Sequence, residues 1–200
     1  MSKIETIAAL EALYDTASGS SVQKVFDYIT PKYRDWISAS RFVVLTTVGP
    51  EGTDSSPRGD IGPVVQIADD KTLVLPDWRG NNRLDSLRNI VADGRVSLMF
   101  MVTGSTTVVR VNGHAIVSTD PELLGGFEQQ GKQPKTVIVM TVGEVYFQCA
   151  KAIIRSALWV GEDLSGQVPS AGDFIKEFNA DLDAKGYDEG YGAYAKERMW

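Results

Sequence analysis

Two arginines flank a turn where the chain can hold an anion, and a third lies on a strand before it. Arg58 lies in Ser55-Ser56-Pro57-Arg58-Gly59-Asp60, and Arg79 and Arg83 flank the turn Gly80-Asn81-Asn82. A short strand carries Arg58. A second, Thr72 to Leu75, runs into Pro76-Asp77, and the turn opens a helix beginning near Arg83. Backbone N–H groups at a helix start lack intrahelical partners, and the helix dipole favours negative charge there. A guanidinium adds charge and can grip phosphate oxygens in bidentate fashion. The pattern fits a phosphate site. It also fits an ordinary helix capped by Asn81 or Asn82, with its arginines in water.

Few other side chains offer chemistry. The chain has one histidine, His114, and one cysteine, Cys149. That excludes an intrachain disulfide framework and a Cys/His zinc site. No metal is expected. His114 follows a bend and reads as structural or partly exposed. Cys149 reads as a small buried residue, with no acid–base partner to make it a nucleophile. No paired carboxylates or Ser-His-Asp set argues for hydrolysis. No Walker loop and no G-x-G-x-x-G after a strand is present.

Composition narrows the class. Two hundred residues, 43% hydrophobic and 23% charged, suit a soluble domain with a real core. The net charge of −6 argues against a nucleic-acid partner. The start of the chain lacks the apolar core of a signal peptide, and no run approaches a membrane span, so a cytoplasmic protein is expected.

The elements that must position the arginines are mostly strands. Apolar spacing predicts helices over Ile4 to Tyr14, from Ser20 or Ser21 through Tyr28, and over Pro31 to Ser40. Phe42 to Val48 is β-branched and apolar and reads as a buried strand. Further strands are expected near Ser55–Arg58, Val64–Ile67, Thr72–Leu75, Val96–Val102, Thr106–Asn112, Gly113–Thr119 and Thr136–Gln148. Gly113 marks a bulge or bend, and Gly143 another bend. Helices are expected over Arg83 to Ala92, from Asp120-Pro121, over Cys149 to Leu158, and over Asp173 to Ala184, where Phe174, Phe178 and Leu182 recur at spacing four. The last fifteen residues show no clear pattern. Short strands joined by turns, with few helices between them, predict an antiparallel barrel. The runs Phe42 to Val48 and Val96 to Val102 are apolar on both faces, so each needs cover on two sides.

Read in order, these pieces resemble a known family. Phe42-Val43-Val44-Leu45-Thr46-Thr47-Val48-Gly49, Ser55-Ser56-Pro57-Arg58-Gly59-Asp60, Leu75-Pro76-Asp77, Gly80-Asn81-Asn82-Arg83-Leu84-Asp85, Val109-Arg110-Val111-Asn112-Gly113-His114-Ala115 and Lys151-Ala152-Ile153-Ile154-Arg155-Ser156-Ala157-Leu158-Trp159 are similar to segments of the FMN-binding split-barrel proteins related to pyridoxamine 5′-phosphate oxidase. The resemblance covers roughly residues 30 to 160. It implies a mainly β fold, a six-stranded antiparallel split β-barrel with flanking helices, and a homodimer with FMN bound between subunits. The chain then divides into an N-terminal helical segment on the barrel (1–40), the barrel (41–160) and a helical or irregular extension (161–200).

The resemblance also implies site residues. Arg58 would face the flavin ring or its ribityl chain, and Ser56, two residues before it, is a further cofactor-binding residue. Leu75, Pro76 and Asp77 would lie along the flavin edge. Asn81, Asn82 and Arg83 match the phosphate-binding segment, where the oxidases carry more basic side chains, and Arg79 or the second subunit would complete the grip. Lys151 and Arg155, four apart on one helix face, can reach the same anion, or else form a solvated basic face. Trp36, Trp78 and Trp159 read as core or interface, and Trp78 is near enough to the site to cover a ring. The oxidases end on an Arg/His substrate motif, whereas this chain ends Tyr194-Ala195-Lys196-Glu197-Arg198-Met199-Trp200. The resemblance therefore implies an FMN-dependent oxidoreductase and leaves its substrate open. The competing expectations are a non-catalytic flavin-binding or sensing protein, and a binder of haem or a deazaflavin in the same groove.

Overall fold

Runs of β-branched and apolar residues build the sheet, and burial alternates along them. The computed structural model describes residues 2–200. The strands are β1 (Phe42–Gly49), β2 (Gly52–Gly59), β3 (Gln66–Ile67), β4 (Thr72–Asp77), β5 (Arg95–Met101), β6 (Val108–Ser118) and β7 (Thr136–Gln148). Every pairing is antiparallel, in the order β2-β1-β5-β6-β7-β4-β3. A mainly β, antiparallel fold with flanking helices is as expected. The strand count is seven rather than six, because Gln66 and Ile67 form a two-residue strand on β4. Val64 and Val65, expected in that strand, are instead buried irregular chain.

The sheet rolls up. β2 and β4 are separated in the sheet by β1, β5, β6 and β7, yet the side chains of Arg58 on β2 and Asp77 on β4 meet. One face turns inward: Val43, Leu45, Leu98, Phe100, Val109, Val111, Ile138 and Met140 are all at most 2% exposed. The intervening residues Val44, Met99 and Met101 are only half-buried. The second apolar face of β1 and β5 is thus incompletely covered within one chain.

The two strands expected over 106–119 are one. β6 runs through a register shift at Asn112/Gly113, where Asn112 pairs with Glu144 and Gly113 with Val142, leaving Gly143 without a partner. A Cβ at Gly113 would collide with the Thr141 carbonyl, so the close crossing of β6 and β7 requires glycine there.

Helices close the barrel unevenly. α1 (Ile7–Glu11) and α2 (Gly19–Gln23) are shorter than their apolar spacing predicts and bury no residue. α3 (Pro31–Ala39) places Tyr33 and Ile37 in the core. The Tyr33 hydroxyl donates to the Lys24 carbonyl at 2.9 Å and accepts the Phe147 N–H at 3.1 Å, and burial raises its pKa. α4 (Asp85–Ala92) packs against β1, with Asn89 Nδ2 donating to the buried Thr47 hydroxyl at 3.1 Å. α5 (Pro121–Gly125) covers the outer face of β4 and β7, where Val74, Phe127 and Val137 make a second small core.

After β7 come α6 (Lys151–Ser156), α7 (Ala171–Lys176) and α8 (Ala184–Lys196). The one helix expected over 173–184 ends at Lys176, and α8 occupies the stretch that showed no pattern. Gly186, Gly190 and Gly192 weaken helix propensity there. Asp183 caps the helix by accepting the Gly186 N–H. Tyr187, Tyr191 and Tyr194 stack along one face, with centroids 5.9 and 6.4 Å apart. No helix among the described residues is long and apolar enough to cross a membrane.

Candidate functional site

The split in the barrel is a groove between two open strand edges. β2 pairs only with β1. β4 pairs with β7 along its length but with β3 only at Leu73 and Val74, so the other edge of Leu75-Pro76-Asp77 is free. Pro76 suits that place because no sheet neighbour needs its missing N–H. On β2 the side chains alternate. Asp54, Ser56, Arg58 and Asp60 are half-buried, while Thr53, Ser55, Pro57 and Gly59 are exposed. Period two thus puts two carboxylates, a hydroxyl and a guanidinium on one side.

The groove encloses about 650 Å³, a size ordinary for a small organic ligand. Nine of the eleven expected residues line it: Ser56, Arg58, Leu75, Pro76, Asp77, Arg79, Asn81, Asn82 and Arg83. Lys151 and Arg155 do not. Both are exposed on α6, where Arg155 Nε donates to the Lys151 carbonyl at 3.3 Å. Within one chain they form the solvated basic face.

The groove's charges are mostly paired. Arg58 Nη1 lies 2.5 Å from Asp77 Oδ1, with both side chains about one-fifth exposed. This bridge fixes the guanidinium across the split, while Arg58 Nε is buried without a partner. Asp60 accepts from Trp78 Nε1 at 2.8 Å and from Gln129 Nε2 at 3.1 Å. Asp54 accepts from the Ser86 hydroxyl at 2.6 Å. Arg83 Nε meets Asp85 Oδ2 at 2.8 Å on the surface. Among the described residues, Arg79 is the groove arginine without an ion pair.

The helix start differs from expectation. α4 begins at Asp85, and its N-cap is Leu84, in a left-handed conformation at φ 63° with no side-chain cap. Neither Asn81 nor Asn82 caps it. Asn81 Oδ1 instead accepts the Arg83 N–H at 3.0 Å, and Asn82 is also left-handed at φ 61°. Asparagine tolerates that region through local hydrogen bonding, whereas leucine there is strained. The turn 81–84 is therefore held by its surroundings, and the first-turn N–H groups of α4 receive no side-chain oxygen from Leu84.

Two groove residues were missing from the sequence reading. Met199 and Trp200 also line it. The Trp200 and Trp78 rings sit edge to face, with centroids 5.0 Å apart and planes at 77°. No periodicity marked this segment, since it projects past the end of α8. Cys149, expected to be buried, is exposed. It stands one residue beyond β7, where the chain leaves the sheet. His114 is exposed on β6 and lies outside the groove.

With the groove described, its relatives can be set beside it. The sequence model of the pyridoxamine 5′-phosphate oxidase family matches residues 29–149, more than half of the chain. The chain belongs to the pyridoxamine 5′-phosphate oxidase family. The match ends before α6, so Lys151, Arg155, Met199 and Trp200 lie beyond it. No curated protein matches the chain. Among solved structures, a histidine-to-alanine variant of HupZ from Group A Streptococcus is similar at 19% identity and TM-score 0.50, covering 60% of this chain and 99% of that one. This likeness supports the fold alone. A putative pyridoxamine 5′-phosphate oxidase from Lactobacillus delbrueckii is 20% identical over 60% of this chain and 95% of its own, with TM-score 0.48. An FMN-binding protein from Syntrophomonas wolfei is 14% identical over 58% and 88%, with TM-score 0.42.

Proposed function

We propose that the chain binds FMN in the split-barrel groove and serves as a flavin-dependent oxidoreductase acting on a small molecule. One observation carries the reading. Arg58, clamped by Asp77, keeps a buried and unpartnered Nε–H in a groove that gathers the nine residues named above. A buried donor without an acceptor costs about 1–3 kcal/mol, which an oxygen-rich ligand relieves. The donor set suits FMN. The open edge of Leu75-Pro76-Asp77 offers backbone groups to a ring edge. Arg79, Arg83 and the α4 first turn offer donors to a phosphate.

FMN, when bound, supplies the redox chemistry. The chain's own residues bind and orient. Arg58 holds positive charge at the groove floor, Asp77 fixes its direction, and Trp78 forms a wall anchored by Asp60. The reading includes a homodimer with the groove completed by a second copy, whose Lys151 and Arg155 would reach the phosphate. The half-covered face of Val44, Met99 and Met101 supports such a partner. The reading also takes residues 41–160 as the functional unit, and a cytoplasmic location.

A second reading, a flavin-binding protein without turnover, rests on a specific observation. Each groove carboxylate is engaged: Asp54 by Ser86, Asp60 by Trp78 and Gln129, Asp77 by Arg58, and Asp85 by Arg83. None is left without a partner.

The first experiment is an absorption spectrum of the purified protein, followed by fluorescence titration of the apo form with FMN. Flavin bands and micromolar or tighter binding are expected. A Soret band or a deazaflavin spectrum would replace FMN with haem or deazaflavin. No fluorescence change on titration would end the FMN reading. Reduction by NADPH or NADH followed by reoxidation separates an enzyme from a sensor. Light scattering with and without FMN tests the shared site, because ligand binding across an interface stabilises the dimer. A monomer that holds one FMN tightly would remove the second copy from the site.

A further inference from the structure

We propose that Trp200, carried in with Met199 from outside the family-matched stretch, forms with Trp78 an aromatic wall of the groove that holds the face of a planar ring. This rests on the flavin reading above and assigns a binding role to a segment beyond the barrel. Trp78 is a fixed post. Its Nε1 is tied to Asp60 Oδ2 at 2.8 Å, and its ring packs on the small core of Val74, Phe127 and Val137. Trp200 docks edge to face on that post at 5.0 Å, within the range favoured for aromatic pairs.

The approach is directed. The Arg198 N–H donates to the Ala195 carbonyl at 2.9 Å, and the Arg198 guanidinium lies 4.1 Å from the Tyr194 ring centroid. The chain is therefore tied to α8 as far as Arg198, and the next two residues project into the groove. About 650 Å³ stays open with Trp200 in place, so the segment bounds the groove rather than filling it. α7 and α8 pack chiefly on each other. The Trp78–Trp200 contact thus joins a separate helical pair to the site. Two indole rings against an open groove match a flat, polarisable ligand face. They add nothing for a phosphate, which needs the guanidinium groups of Arg79 and Arg83 further along the turn into α4.

The test compares FMN with riboflavin, which lacks the phosphate, in the full-length protein. Trp200→Ala is expected to weaken both by the same factor, about two- to tenfold as aromatic contacts imply, with faster dissociation of each. Trp200→Phe should restore most of the affinity. Thermal unfolding of each variant checks that the barrel stays folded. Unchanged affinity and dissociation in Trp200→Ala would overturn the proposal while leaving the flavin reading intact. Tighter binding would also overturn it, since the segment would then compete with the ligand. Loss of FMN affinity alone would assign Trp200 to the phosphate end and overturn the ring role. A wild-type protein that takes up neither flavin would overturn both proposals together.

Discussion

The groove and helix α6 were expected to act on one ligand, and they stand in different relation to the chain. Arg58, Asp77, Arg79 and Arg83 come from three elements, yet the rolling of one sheet brings them to one cleft. Lys151 and Arg155 are one helical turn apart and exposed, and the chain's own fold does not deliver them to that cleft. Proximity in sequence thus fixed a shared face for the lysine and arginine, but only sheet closure fixes a shared site. In the proposed homodimer, residues that a single chain does not gather would reach the neighbouring copy.

The largest expected effect breaks the groove side of this contrast. Arg58→Ala leaves Asp77 with its charge in a cleft that exposes less than a fifth of it. Removing one partner of a buried pair costs about 3–5 kcal/mol, and partial exposure here lowers that to roughly 2–3 kcal/mol. Denaturant unfolding should show this loss, and both FMN and riboflavin should bind more weakly. The double change Arg58→Ala with Asp77→Ala should recover part of the stability without recovering binding.

A second pair of variants sharpens the division within the groove. Arg83→Ala should weaken FMN by about 1.5–3 kcal/mol and riboflavin little, the size of a charge-assisted hydrogen bond. Arg79→Ala should act alike, and more strongly if Asp85 keeps Arg83 occupied. Equal losses for the two ligands in titration would take these arginines off the phosphate.

Smaller effects should follow from α6. Lys151→Ala with Arg155→Ala is expected to cost about 1 kcal/mol in FMN binding, because exposed charges are screened. Raising the salt concentration should erase the difference. Mixing this variant with Arg58→Ala protein decides the geometry. If α6 serves the neighbour's groove, the mixed dimer regains one intact site, and if it serves its own, none.

The smallest effect lies outside the site and is a control on the barrel. The Arg95 guanidinium and backbone N–H hold the Asp93 carboxyl at a pKa of about 2, below its ordinary 3.8. A depressed carboxylate pKa gives stability that is full above the unfolded value and fades as pH falls. Here the fading runs from about pH 4 down through pH 2. Asp93→Asn should flatten that part of the pH–stability curve and leave flavin affinity unchanged.

Much of the barrel was legible because its strands are runs of β-branched and apolar residues. Phe42 to Val48 and Val96 to Val102 fell close to β1 and β5. The shared position of Arg58 and Arg83 came from the resemblance, since spacing alone left the helix cap as an equal account. What escaped depended on contacts distant in sequence. β2 was read only from Ser55 to Arg58 because its polar inward residues face a groove, not a core. The left-handed Leu84 has no local signature. α8 was hidden by its glycines, and Trp200 reaches Trp78 only through the placement of a whole helix. Gly113 and Gly143 were flagged singly, but that they mark one crossing needed the pairing of β6 and β7.

The open edge of β2 has a consequence for solubility. A free strand edge invites pairing with another chain and can seed aggregates. Here the exposed edge contains Pro57, which offers no N–H, and its inward side carries Asp54, Arg58 and Asp60. The opposite edge of the sheet, β3, is two residues long. Both borders are thus blunted against fibril growth. The residues that would grip a ligand are also those that keep the sheet from recruiting strands. Replacing them with apolar groups to redesign the groove should therefore produce protein that precipitates before it shows a new specificity, and turbidity on concentrating such variants would register it.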